Sequence, residues 1–330
     1  ITSVTISPTH RRRGLLRRMI TLDLSTAREQ GAVFAALTAS EATIYGRFGF
    51  GRATQRARYT LKTRQGASLR VEPEGSVVAV APEELKKYAP AIFAAAHAHT
   101  LGSISATQFD VGQAAGQWED YDSLKPVKNL RAALHLDAEG KPDGFMSYQF
   151  SGWKVAPPPM EIGQMCPASG PARRELVAYL GAHDLVEKIA GRGPVDDVLP
   201  TALENARAYK ATALGDHLWL RILDLETALE ARTYAGDGHI RLRVHDSLGM
   251  ADGTWELRVE ELTADVRRLP DDGEPDVSVD VRDLASLYLG GFSAAHLAQA
   301  GVLKIHVPGA VRTLDSLFAT STIPYCQADF

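Results

Sequence analysis

Val4–Leu16 reads V-T-I-S-P-T-H-R-R-R-G-L-L: β-branched residues, a proline, a basic turn with a glycine, then the start of an apolar periodicity. β-Branched residues favour extended backbone and Pro8 cannot continue a ladder, so residues 1–7 are expected to form a strand. Leu15, Leu16, Met19, Ile20, Leu24 and Ala27 recur at helical spacing, with Arg17, Arg18, Thr21 and Arg28 off that face and Gly31 where a C-cap glycine belongs. Strand, turn, helix in that order puts Gly14 and the arginines at a helix N-terminus. The first N–H groups of a helix lack partners and its dipole is positive there, so a phosphate or pyrophosphate is a natural guest. Arg11, Arg12, Arg13, Arg17 and Arg18 crowd this junction in a chain whose formal net charge is −4. A solvated basic face is the competing reading of such a run.

Working outward, V-F-A-A-L-T-A (33–39) is expected to be a buried strand. Ser40 and Glu41 follow, then A-T-I-Y-G-R-F-G-F-G (42–51), a short helix entering a glycine-punctuated turn, and the alternating strand R-A-R-Y-T-L-K (56–62). Residues 1–62 thus predict a βαβ unit with a tail, which needs further strands beside it. From about 65 the pattern changes. R-Q-G-A-S-L-R-V-E-P-E-G is linker-like, a helix over 83–99 is interrupted at Pro90, and a hairpin turns at D-A-E-G-K-P-D-G (137–144). A helix with Pro171 in its first turn runs on to K-I-A (188–190), and L-W-L-R-I-L-D is a strand. From about 223 come a helix over 225–234, two alternating strands around Gly249 and Gly253, the strand V-S-V-D-V, and a helix ending at Gly290.

With 330 residues, 45% hydrophobic and 23% charged, the chain has the composition of a soluble globular protein of two or three domains. The balance of 36 Lys and Arg against 40 Asp and Glu argues against nucleic acid or a polybasic membrane contact. There is no apolar run of about 18 residues for a membrane span. Cys166 and Cys326 make neither a disulfide framework nor a zinc cage, which fits a reducing cytoplasm. Cys166, in Q-M-C-P, reads as an inert thiol. His97 and His99 form an H-x-H that no neighbouring carboxylate or cysteine completes, so no metal is expected. The chain opens inside an apparent strand, so the first module is expected to be incomplete at its N-terminus.

V-T-I-S-P-T-H-R-R-R-G-L-L resembles motif A of the Gcn5-related N-acetyltransferases (GNAT), whose pattern is R/Q-x-x-G-x-G/A before a helix. Arg11, Gly14 and Leu16 hold the three marked positions, Leu16 in place of the small residue. Together with T-A-S-E-A-T-I-Y-G-R-F-G-F-G-R-A-T (38–54), it is similar to the Eis (enhanced intracellular survival) family of actinobacterial acetyltransferases, in which a leucine at that place is usual. L-W-L-R-I-L-D-L-E-T-A-L-E-A-R-T-Y and the D-F ending match as well, so the resemblance covers most of the chain. It implies an α+β architecture: two acetyltransferase-like modules, the first incomplete, and a C-terminal α+β domain similar to sterol carrier proteins. The expected divisions are 1–64, 65–222 and 223–330.

The resemblance further implies that only the first module binds acetyl-CoA. Val4, Thr5 and Ile6 would pair with the pantetheine arm, and Arg12, Arg13, Gly14, Leu15, Leu16 and Arg17 would surround the pyrophosphate. Ser40 and Glu41 would contact the cofactor from the next strand end. Tyr45 matches the general acid that protonates the departing thiolate, and the C-terminal carboxylate of Phe330 matches the general base. The chemistry is coherent: an amine attacks only when deprotonated, and a thiolate leaves more readily when protonated. A terminal carboxylate with an unperturbed pKa of about 3.5 needs burial or a water relay to act as a base. On residue type alone, Tyr45 would be a half-buried core aromatic and Phe330 a frayed end.

Acceptors implied by the family are cationic amines, namely aminoglycoside amines at several positions and lysine ε-amines. They call for a wide acidic pocket to which Asp329 could contribute and which Cys326 could line. The resemblance also implies a cytoplasmic homo-hexamer. A non-catalytic lipid or ligand binder on a degenerate scaffold is the alternative, which a continuous apolar cavity would favour.

Overall fold

The structure is a computed structural model describing residues 1–64, 67–119, 123–152, 158–270 and 273–330. Gln65 and Gly66, in the expected linker and at the expected boundary after 64, lie outside the described residues. Two compact units form: residues 1–55, 216–324 and 330, and residues 56–215 and 325–329.

The first unit opens with helix α1 (Leu15–Glu29), strand β1 (Phe34–Thr38), the single-turn helix α2 (Ala42–Tyr45), a 3-10 turn over Gly46–Phe48, and strand β2 (Gly51–Arg52). Gly31 takes φ +85° just past α1, as a C-terminal glycine does, and Ile20 and Leu24 bury the helix's apolar face. Two expectations are corrected here. Residues 1–7 form no strand. Ser3 turns the backbone to φ 55° and breaks the extended run, leaving a bond from the Ile1 nitrogen to Ala36 O at 2.8 Å. Nor do residues 1–62 close a parallel βαβ unit. Leu218–Ile222 lies between β1 and β2 and pairs antiparallel with both, Phe34 opposite Ile222 and Leu220 opposite Gly51. Every residue of Leu218–Ile222 is buried, which explains its near-continuous apolar sequence.

The same unit holds a five-stranded sheet in the order Thr263–Leu269, Gly253–Glu260, Gly238–His245, Val277–Asp280, Leu303–Ile305. Leu242, Val244 and Leu257 from this sheet pack with Leu284 of helix Val281–Tyr288 and with Leu314 and Leu317 of helix Ala310–Phe318. Helix Val281–Tyr288 approaches β2 so closely that a Cβ on Gly51 would fall 1.7 Å from Arg282 O. That obstacle is backbone and cannot swing away. Gly51→Ala is therefore expected to destabilise the chain by on the order of 3 kcal/mol, read as a lowered thermal midpoint.

The second unit is built on a seven-stranded sheet, in the order Ser76–Val80, Arg131–Leu136, Pro142–Phe150, Pro159–Pro167, Lys188–Gly193, Gln55–Lys62, Tyr209–Asp216. The hairpin expected at 137–144 is present, with Gly140 at φ +78°. Helix Leu85–His99 continues through Pro90 rather than being interrupted there. Pro90 and Lys86 are exposed, so water can serve the Lys86 carbonyl that the proline leaves without a donor. Helix Gly170–Gly181 stops short of the expected end. Lys188–Gly193 is a strand between Gln55–Lys62 and Pro159–Pro167, where ladder pairing and burial of Ile189 outweigh helical propensity.

Candidate active site

Gly14 is the N-cap of α1 at φ +73°, a left-handed conformation that costs a side chain roughly 1 kcal/mol. No side chain caps the helix, and the space where a Cβ of Gly14 would sit is open. The first intrahelical bond, Arg18 N to Gly14 O at 3.1 Å, leaves the N–H groups of Leu15, Leu16 and Arg17 without helical acceptors. Arg12 also adopts a positive φ, 61°, and Arg11 Nε pins the loop by donating to Ile6 O at 3.3 Å. Among the described residues, Arg12, Arg13, Arg17 and Arg18 form no ion pair with a carboxylate, and all four are exposed. A two-charge anion would meet free donors and unspent positive charge together.

This helix end opens on a cavity of about 780 Å³. Val4, Thr5 and Ile6 form one wall, Arg12 with Gly14, Leu15, Leu16 and Arg17 a second, and Ser40 and Tyr45 a third. No ladder pairs residues 4–6, so apart from Ile6 O, which accepts from Arg11 Nε, their backbone groups are available to a ligand. His10, Arg11, Ile44, Arg47 and Phe48 also line the cavity. Arg11 and the G-R-F-G turn had marked the region, but helix face and turn geometry decide which side chains reach the cavity.

Arg13, Glu41 and Phe330 are not on the wall. Glu41 is instead the N-cap of α2, its Oε1 accepting from Thr43 N at 3.3 Å and Thr43 Oγ1 at 2.9 Å, bonds that hold its carboxyl below the ordinary range. Tyr45 is only 8% exposed and meets Phe50 edge-to-face with centroids 6.1 Å apart. Burial pushes its phenol above the ordinary tyrosine value, so it is a neutral O–H donor at physiological pH. A main-chain oxygen of Phe330 accepts from Thr38 Oγ1 at 2.5 Å, at the end of β1 just before Ser40.

Two expectations about the tail need correcting. In the second unit Asp329 is held by Arg56, with Nη2 to Oδ1 at 2.9 Å, and lies 3.6 Å from Arg192 Nη1, so its charge is already matched. Cys326 is fully buried rather than cavity-lining, and burial pushes its thiol to about 11.

The second unit does contain a parallel strand–helix–strand arrangement, through Pro159–Pro167, helix Gly170–Gly181 and Lys188–Gly193, and its helix end is closed. Ser169 Oγ accepts from Ala172 N at 3.1 Å, Pro171 has no N–H, and the buried Arg173 is paired with Asp197. A smaller cavity of about 270 Å³ in the first unit mixes Phe50, Phe292 and Leu297 with Arg52, Arg282 and Asp283, so its wall is not continuously apolar.

Residues 1–53 and 112–222 each match an acetyltransferase (GNAT) domain, and residues 225–327 match a sterol carrier protein domain. An uncharacterized N-acetyltransferase of Streptomyces avermitilis is 34% identical over 344 residues, covering 100% of this chain and 80% of that protein. The N-acetyltransferase Eis of Mycobacterium tuberculosis is 31% identical over 331 residues, 96% of this chain and 77% of its own length. The crystal structure of Eis1 from Mycobacterium abscessus aligns with a TM-score of 0.82 at 32% identity, covering 100% of this chain and 82% of that one.

The chain belongs to the Eis family of N-acetyltransferases.

It is therefore an acetyltransferase of two GNAT domains followed by a sterol-carrier-like domain, in a mixed α+β fold. Enzymes of this class take acetyl from acetyl-CoA and deliver it to an amine. The uncapped helix end, the open space at Gly14 and the unpaired arginines fit a pyrophosphate, and the unladdered backbone of Val4–Ile6 fits an extended amide-bearing arm. In this Eis-family chain, Arg12→Ala combined with Arg17→Ala is expected to raise the dissociation constant for CoA by about 10- to 100-fold, since each charge-assisted bond contributes roughly 1–2 kcal/mol. Titration calorimetry at two salt concentrations checks this, and the double variant should show the weaker salt dependence.

Proposed function

We propose that this chain acetylates primary amines of cationic acceptors, aminoglycosides at several positions and lysine ε-amines, by direct attack on acetyl-CoA in the cavity beside α1. Residues 1–64 carry the acetyl-CoA site, residues 65–222 a second acetyltransferase-like module, and residues 223–330 the sterol-carrier-like region. Acetyl-CoA supplies an activated thioester. Val4–Ile6 orients it through backbone groups, and Arg12, Gly14, Leu15, Leu16 and Arg17 hold its pyrophosphate with Ser40 at the next strand end, while the exposed Arg13 adds charge near the helix end and Glu41 acts indirectly by capping the helix that carries Tyr45. Tyr45 holds the proton that neutralises the leaving thiolate, and the terminal carboxylate of Phe330 takes the proton from the amine, directly or through water.

One observation carries this reading: Tyr45, a buried and protonated phenol, lines the same cavity as an uncapped, arginine-flanked helix end. Family resemblance supports a cytoplasmic homo-hexamer, which sedimentation of the purified protein would test. Among the described residues no helix is long and apolar enough to cross a membrane. The function is tested by thiol release from acetyl-CoA in the presence of an aminoglycoside or a lysine peptide. Amine-dependent release with an acetylated product is expected; no release with any polyamine or lysine peptide would refute the proposal.

A further inference from the structure

We propose that Arg221, gripped by Asp246, is a positioning residue for Tyr45. Arg221 sits in Leu218–Ile222, opposite Ala35 of β1, and is completely buried. Its Nη2 donates to Asp246 Oδ2 at 2.6 Å, while Nε and Nη1 have no hydrogen-bond partner. Asp246 is itself fixed by Ala251 N at 2.9 Å and Leu248 N at 3.0 Å. A buried guanidinium with two idle donors is a poor device for stability, because its desolvation is incompletely offset.

What the guanidinium touches gives it a purpose. Gly49 closes the turn that follows Tyr45, at φ +81°, with Gly49 N bonded to Gly46 O at 3.1 Å and Phe50 N to Tyr45 O at 3.4 Å. A Cβ on Gly49 would lie 2.5 Å from Arg221 Nη1, 2.9 Å from its Cζ and 2.8 Å from Val281 Cγ1, so the turn packs closely against the guanidinium. The Asp246–Ala251 turn also sends Leu248 and Met250 into the cluster that contains Tyr45, Phe48 and Phe50. The ion pair therefore holds the guanidinium against the Tyr45 turn, while the segment that fixes Asp246 belongs to the same hydrophobic cluster as Tyr45. Through it, the sterol-carrier-like region sets the aim of a phenol supplied by the first acetyltransferase domain.

This inference rests on Tyr45 being the proton donor, and a double-mutant cycle separates the two claims. Arg221→Lys keeps the charge but removes the guanidinium that packs against Gly49. It is expected to lower kcat about 10-fold with KM for acetyl-CoA changed by about 2-fold or less, and to cost nothing further in a Tyr45→Phe background. Equal fold losses in both backgrounds would mean a merely structural role and overturn the inference, as would unchanged kcat in a folded Arg221→Lys protein. Undiminished kcat in Tyr45→Phe alone would overturn both claims. Should Arg221→Lys fail to fold, Gly49→Ala presses on the same contact from the turn side, and the same non-additivity with Tyr45→Phe is required of it.

Discussion

Tyr45→Phe is expected to lower kcat by about 100-fold or more and to leave affinity for acetyl-CoA within about 2-fold, because the change removes one transferable proton and almost no volume. The ring stays in its cluster against Phe50, so stability should hardly move. The pH dependence gives a second, independent reading. A general acid works only while protonated, and burial raises the Tyr45 pKa above its ordinary 10.0. Activity attributable to the phenol is therefore fully available at neutral pH and is lost as pH rises through that raised value, so the alkaline fall in kcat lies above 10.0 and is absent from Tyr45→Phe. An alkaline limb of unchanged shape in the variant would assign the proton to another group.

The second large effect is expected at the other end of the chain. Adding one residue after Phe330 moves the terminal carboxylate by about 3.5 Å. Proton transfer requires hydrogen-bond reach, so kcat should fall by about 100-fold. CoA binding should persist, since neither Arg12 nor the α1 terminus is touched. The extension also displaces charge from the main-chain position that bonds Thr38 Oγ1, which makes Thr38→Val an informative companion. Unchanged turnover in the extended protein would remove Phe330 from the reaction.

The sequence disclosed the cavity better than the sheets around it. The helix that begins after Gly14 and the short turn that carries Tyr45 are local features, dictated by a left-handed glycine and 3.6-residue periodicity, and both stand where the residues put them. Pairing is not local. Residues 1–7 have β-branched chemistry but no ladder, and β1 finds its partner in Leu218–Ile222, far along the chain. Strand Tyr209–Asp216 is almost wholly exposed and so offers no alternation to read, and Thr263–Leu269 buries only Val266 and interrupts its apolar residues with Asp265, Arg267 and Arg268. The fate of Glu41 and Asp329 was equally illegible, because a capping bond and a distant arginine each claimed a carboxylate that composition alone left available. Arg221 gave no signal within L-W-L-R-I, since only the close approach of Gly49 reveals its contact.

Hydrogen–deuterium exchange with and without saturating CoA tests the central claim most directly. The amides of Leu15, Leu16 and Arg17 lack helical acceptors and those of Val4–Ile6 lack a ladder, so both groups should exchange quickly in the free protein and slow markedly when a pyrophosphate and a pantetheine arm occupy them. Protection concentrated at residues 4–6 and 15–17 is the expected result. Unchanged exchange there, with slowing instead at helix Gly170–Gly181, would place the carrier in the second module and contradict the account.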